Sequence, residues 1–308
     1  MTSNTDLSAP GQRTTLYASA LAFVSASVWG LFWLPLREID KHGLTGPWVI
    51  LAINIAPLLF FIPVTWRRWP VVRRHVKEAA IIGSLCAAGL VFYTLGLIYT
   101  SIMRATLLFY LTPVWSTRFG MLILSERVSW RRWAAIALGF AGLILILAAK
   151  GSAAGSLNMG DVMGLLSGIF WGAGMAYTRL YGSLEPADTA ASIYLFSCVL
   201  GLLLIWPLLG SAATIPPLSA WLAAAPITLA FSLIIFMPTL FAVMWCAQRL
   251  SPGRVGILMM SEVLVAGISA PLLAGEVLSV QEFAGAVLII GAGVLEVLSP
   301  VEQPQQVS

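Results

Sequence analysis

The chain has 308 residues, of which 59% are hydrophobic and only 10% charged, with a net charge of +4 and a mean hydropathy of +0.91. A soluble domain carries about 25% charged residues, so this composition excludes a globular protein covered by water. The basic residues sit in short clusters between apolar runs, which argues against nucleic-acid binding and suits orientation in a lipid bilayer.

In chain order, a polar stretch of about fifteen residues lacks the basic start of a secretion signal and is expected to be a tail. Ten apolar runs follow, at roughly 16–36, 47–65, 79–100, 104–124, 131–149, 161–181, 189–209, 223–247, 254–274 and 281–298. Each approaches the length that crosses the hydrocarbon core of a bilayer as a helix. Prolines within or at the ends of these runs, such as Pro57, Pro113, Pro226 and Pro271, are expected as kinks satisfied by neighbouring helices. With the N-terminus inside, the cytoplasmic segments hold Arg13, Arg67, Arg68, Arg73, Arg74, Lys77, Arg127, Arg131, Arg132, Arg179, Arg249 and Arg254. The opposite side holds Arg37, Lys41, Arg104 and Lys150. Twelve against four places both termini in the cytoplasm. Trp66, Trp69, Trp130 and Trp133, beside arginines at run ends, suit the headgroup boundary. Cys86, Cys198 and Cys246 lie in apolar context without CxxC spacing and are expected as buried fillers.

The segment from Ser101 to Ala149 is stated again from Ser251. At an offset of 150, Ser101 falls on Ser251, Arg104 on Arg254, Glu126 on Glu276 and Ser129 on Ser279. An earlier echo sets Ser25, Trp29 and Gly30 against Ser167, Trp171 and Gly172. The chain therefore reads as a duplication: an N-terminal tail over 1–15, a five-helix repeat over 16–149, a linker over 150–160, a second repeat over 161–298 and a C-terminal tail over 299–308. Five spans per copy send the second copy into the membrane from the opposite face. The expected fold is an all-α polytopic membrane protein, ten transmembrane helices as two inverted five-helix repeats, with a solute site where the repeats meet.

Candidate site residues follow from cost. Glu262 lies in mid-span, where a carboxylate is expensive and faces a wet cavity or the bundle interior; it can serve as counter-charge for an ammonium group, bind a proton, or be a hydrogen-bonded packing group. Arg118 also lies within a span, and either pairs with Glu262, reads the other end of a zwitterion, or snorkels. Trp29 and Trp33, four apart, are expected to share one helix face. Trp171, Tyr93, Tyr99, Tyr110, Trp115, Tyr177 and Trp245, with Met175 and Met259, complete a candidate cavity lining that would accept apolar or aromatic groups and hold a cation. Glu126 and Glu276, each followed by a serine at the next helix start, read as structural hinges. Gly139 with Gly142, and Gly164, Gly168 and Gly172 in steps of four, read as close helix crossings. No metal-ligand spacing or nucleophile–base arrangement is present, and His42 and His75 fall in loops, so neither an enzyme nor a cofactor is expected.

The Trp-Gly early in each half, the Glu-x-x-Ser hinge and the glycine- and alanine-rich helix after it (SERVSWRRWAAIALGFAG and GEVLSVQEFAGAVLIIGAG) resemble the drug/metabolite transporter superfamily, specifically its EamA-type members. The first copy departs in having Arg131-Arg132 where the second has Gln281-Glu282. The resemblance implies a multi-pass exporter in the bacterial inner membrane, closest in appearance to the aromatic amino-acid exporter branch. It implies alternating-access export of amino acids, aromatic ones and other neutral ones such as threonine, and of related metabolites. Its partners would be a small-molecule substrate, the lipid bilayer and, for energy coupling, protons; one chain would function as a monomer. The alternatives are efflux of cationic drugs or other small organic solutes, and, from a different class, a channel or membrane scaffold.

Overall fold

The computed structural model describes residues 9–100, 102–149, 158–182, 184–209, 214–265 and 280–298. The Glu276–Ser279 hinge, Lys150 and the ninth apolar run beyond residue 265 lie outside them, as do most of the linker, the first eight residues and the C-terminal tail. Regular structure among the described residues is helical throughout. The helices are α1 (Ala9–Trp29), α2 (Trp33–Lys41), α3 (Pro47–Arg67), α4 (Trp69–Val72), α5 (Val76–Tyr99), α6 (Ile102–Phe109), α7 (Thr112–Leu124) and α8 (Trp130–Ala149). Beyond the linker come α9 (Met159–Leu180), α10 (Pro186–Leu209), α11 (Leu218–Ala230), α12 (Met237–Ala247), α13 (Pro252–Met259) and α14 (Val280–Leu298). Among the described residues, five stretches are long and apolar enough to cross a membrane: Arg13–Lys41, Pro47–Arg67, Trp69–Tyr99, Pro186–Leu209 and Leu218–Ala247. The chain is a multi-pass membrane protein. Its first helix begins at Ala9, inside the stretch expected as a tail, because nothing between Ala9 and the first apolar run breaks a helix except Pro10 and Gly11 in its opening turn.

Local chemistry sets the helix starts. Proline occupies the first turn of α3, α7 and α13, where its missing N–H costs nothing. Asn158 and Asp161 form a reciprocal capping box at the start of α9. Pro57, Pro63, Pro207 and Pro226 lie inside α3, α10 and α11 as the sequence suggested. α11 passes into α12 through a π-helical turn over Phe231–Phe236, two residues before Pro238, whose missing amide leaves a carbonyl of that turn without a ladder partner.

Contacts between chain segments define two ends of the bundle. At one end Arg68 reaches Glu185 at 2.7 Å and Asp188 at 3.2 Å, and Gln248 donates to the Leu184 carbonyl. Tyr17 packs edge-on against Trp245, and Arg254 donates to the carbonyls of Glu296 and Val297. The start of α1 and the end of α14 therefore lie at this same basic end. At the far end Thr100 donates to Asp161 and Trp48 meets Trp221 edge-on.

The basic end also holds a buried ion network. Arg132 approaches Glu126 at 3.7 Å and Glu296 at 3.1 Å, Arg254 approaches the same Glu296 at 3.6 Å, and Arg132 donates to Ser251. Arg132 is therefore more than an orienting charge: it is 3% exposed and fastens α8 to α13 and α14. Glu126, read from the sequence as a hinge, follows Ser125 in the left-handed conformation and turns its carboxylate into this network.

The glycines of α9 decide how closely α6 and α7 approach the bundle centre. A Cβ at position 168 would stand 2.7 Å from the Phe109 carbonyl oxygen, and one at 172 would stand 3.0 Å from the Ser116 amide. By contrast, a Cβ at Gly293 would find only Phe23 at an ordinary 3.9 Å. Gly168→Ala should therefore lower thermal stability by about 1–3 kcal/mol through overpacking, while Gly293→Ala should be near neutral. Thermal unfolding of the two purified variants in detergent checks this, and equal stability would contradict it.

Candidate functional site

Two helices are interrupted in the middle of the bundle, 150 positions apart in sequence. The first break separates α6 from α7 at Tyr110–Leu111, where Pro113 supplies no amide and cannot continue the ladder. Thr112 caps the break by donating its hydroxyl to the Phe109 carbonyl. The second follows α13 at Met260, after which residues 261–265 are again helical. A break leaves carbonyls that need outside donors. Tyr110 answers across the gap, its hydroxyl 3.5 Å from the Met259 carbonyl.

Glu262 lies in the turn after the second break, 7% exposed. Tyr93, from α5, donates its hydroxyl to the Glu262 carboxylate at 3.4 Å. The Tyr93 ring lies 4.4 Å from that of Phe109, which in turn packs against Tyr110 at 5.1 Å. The adjoining Ser261 donates to the Phe23 carbonyl of α1. Glu126, Asp188 and Glu296 each face an arginine, whereas Glu262 faces tyrosine hydroxyls.

On the other side of Met259 stands an aromatic wall. Trp171 is fully buried and directs its indole N–H at the Met259 sulfur at 3.4 Å. Its ring meets Trp29 edge-on at 5.8 Å. Trp29 donates to the Thr239 hydroxyl at 2.7 Å, and its neighbours Phe32 and Phe236 extend the wall toward the π-helical turn. The repeat mates Trp29 and Trp171 thus touch each other.

The remaining candidates are scattered. Met175 is fully buried in the same core cluster. Between Trp29 and Trp33, α1 ends and Gly30–Phe32 form tight turns before α2 begins. Trp115 packs its Cβ side near Gly172 and buries an indole N–H without a partner among the described residues. Arg118 is exposed, while Ser116, Thr117 and Gly120 take the buried face of α7. Tyr99 lies at the far end, near Gly46. Tyr177 stacks on Tyr181, and Trp245 lies beneath the Arg249 guanidinium at 3.9 Å, both toward the basic end. The residues brought together are therefore Trp29, Tyr93, Tyr110, Trp171, Met259 and Glu262. Phe109, Thr239 and Ser261 join them without having been singled out. No group of three His, Cys, Asp or Glu side chains converges to hold a metal among the described residues.

A helical membrane protein with interrupted helices crossing at a buried carboxylate and an aromatic wall has the build of a solute transporter. The EamA-like transporter family model matches residues 16–148 and 158–297, so the chain belongs to that family. A solved crystal structure that is 20% identical aligns over 91% of this chain and 96% of its own, with a TM-score of 0.67; that likeness concerns the fold. No curated protein matches the sequence significantly.

The Trp29–Thr239 bond gives the wall a testable anchor. Thr239→Val leaves a buried indole donor without its partner and should cost about 1–3 kcal/mol. In a Trp29→Phe background, where no donor remains, the same change should cost clearly less. A double-mutant cycle by thermal unfolding checks the coupling; additive losses would contradict it.

Proposed function

We propose that the protein exports small amino-bearing solutes, amino acids with aromatic or other neutral side chains among them, across the bacterial inner membrane. It does so by alternating access between two inverted five-helix repeats, 16–149 and 161–298, which cross the bilayer ten times with both termini in the cytoplasm. One chain encloses the pathway. Glu262 carries this reading. A carboxylate set in the bundle centre with no facing arginine among the described residues is completed by a cation, and the ammonium of a solute or a proton supplies one. Tyr93, Tyr110 and the Met259 carbonyl add hydrogen-bond acceptors around the ammonium. Trp171, Trp29 and Met259 offer an apolar, polarisable surface to the solute body. Binding a proton and an amine at one carboxylate is mutually exclusive, which is the simplest form of exchange between them.

Efflux of cationic drugs is the second reading, and the placement of Arg118 favours it. With that guanidinium exposed on α7, the group that was to read a carboxylate is not beside Glu262.

A matched pair of solutes separates the two. In proteoliposomes, phenylalanine and phenethylamine share ring and amine and differ in the carboxylate. Amino-acid export requires saturable phenylalanine movement that Glu262→Gln reduces by at least about tenfold, the loss expected for removing a charge-assisted contact of about 1.5 kcal/mol or more. Movement of phenethylamine and quaternary cations without phenylalanine would establish the second reading, and movement of neither would overturn both. Running the panel with and without a proton gradient tests exchange: a Glu262→Gln protein that keeps the gradient response would remove Glu262 from coupling.

A further inference from the structure

Residues 66–77, WRRWPVVRRHVK, join two of the apolar helices, α3 and the Trp69–Tyr99 stretch, at the basic end. The segment is ordered as α4 followed by a single 3-10 turn over Arg73–His75. Two side chains turn inward: Val72 is buried, and Arg68 is committed to Glu185 and Asp188. The others face out. Trp66 and Trp69 are 79% and 53% exposed, and Arg67, Arg73, Arg74 and Lys77 are exposed with no ion pair among the described residues.

Exposed indoles and unpaired cations in one ordered turn are an unusual surface to leave to water. Indole rings settle at the level of lipid headgroups, and the segment lies where two membrane-length helices end. Its cations therefore face the headgroup layer, and the charge complementary to them there is phosphate. Orientation alone needs basic residues on one side of the membrane; it does not need them held in a folded turn with their acidic neighbours absent. Glu78 is the nearest acid in sequence and is half-buried at the start of α5.

We propose that the 66–77 turn is a docking surface for anionic phospholipid headgroups of the surrounding bilayer, with Arg73 and Arg74 as its principal phosphate ligands and Trp66 and Trp69 seated at the glycerol level. Arg68 takes no part, because its guanidinium is already held by two carboxylates. The lipid is recognised by its negative charge, so binding is screened by salt, and zwitterionic lipids do not substitute.

The test uses the full-length protein reconstituted in phosphatidylcholine with trace spin-labelled phosphatidylglycerol or spin-labelled phosphatidylcholine, and reads the motionally restricted fraction of each. The wild-type protein is expected to prefer phosphatidylglycerol, with the preference falling toward unity in about 1 M salt, where screening acts within about 3 Å. Arg73→Gln with Arg74→Gln should at least halve the preference. Arg13→Gln with Arg131→Gln, which removes the same charge from exposed positions at the same end, should leave it unchanged. An equal fall in both double variants would reduce the effect to general charge and overturn the site. Absence of any preference in the wild type would overturn it as well, and the salt arm stands whether or not a variant folds. Displacement of the label by millimolar inorganic phosphate would show a free-anion site instead of a lipid one.

Discussion

In a bilayer every backbone carbonyl needs a donor from within the protein, and the structure is arranged around the two places where that requirement is broken. The interruptions at Tyr110–Leu111 and Met260 free carbonyls in the centre of the bundle. Tyr110 and Thr112 repay part of the debt with hydroxyls. Around the first interruption α6 and α7 lie almost against the backbone of α9, and the glycines at 164, 168 and 172 are what permit that approach. The same closeness brings Trp171 on α9 over Met259. Site geometry and helix packing are thus one constraint seen from two sides.

Buried charge is used in two ways. At the basic end Arg132, Arg254, Glu126 and Glu296 neutralise one another across α8, α13 and α14. Breaking one partner of such a group costs about 3–5 kcal/mol, so this cluster is a fixed fastening. Arg68 with Glu185 and Asp188 links the two sides of the chain at the same end, but its side chain is 30% and that of Glu185 55% exposed. Water screens the Glu185 contact, whereas Asp188 is buried, and opening that contact would leave its carboxylate uncompensated. Glu262 belongs to neither kind. Among the described residues it meets tyrosine hydroxyls rather than an arginine.

Much of this was legible in one dimension. The cost of a mid-span carboxylate singled out Glu262, and the repeat of Trp-Gly paired Trp29 with Trp171, which touch. The Thr112-Pro113 pair announced the first interruption. The second was hidden, because LMMSEV contains neither proline nor glycine. Arg118 shows the limit of hydropathy: a run gives depth but not facing, and the small residues Ser116, Thr117 and Gly120 had already claimed the inner face of α7. Thr239 and Phe109 were missed because a threonine and a phenylalanine in an apolar run carry no signal of their own; each gains meaning from a partner distant in sequence. The Arg132–Glu296 contact joins residues 164 apart, and no local pattern encodes it.

Glu262 as an open cation site can be tested by its chemistry. Dicyclohexylcarbodiimide, an apolar reagent, couples to membrane-buried carboxyls in their protonated form, and peptide mass spectrometry locates the adduct. The expected result is modification at Glu262 that an excess of phenylalanine or phenethylamine prevents, with the arginine-paired Glu126 and Glu296 spared. Modification of Glu262 to the same extent with and without both amines, or none at Glu262 while Glu296 reacts, would contradict its place at the centre of the solute path.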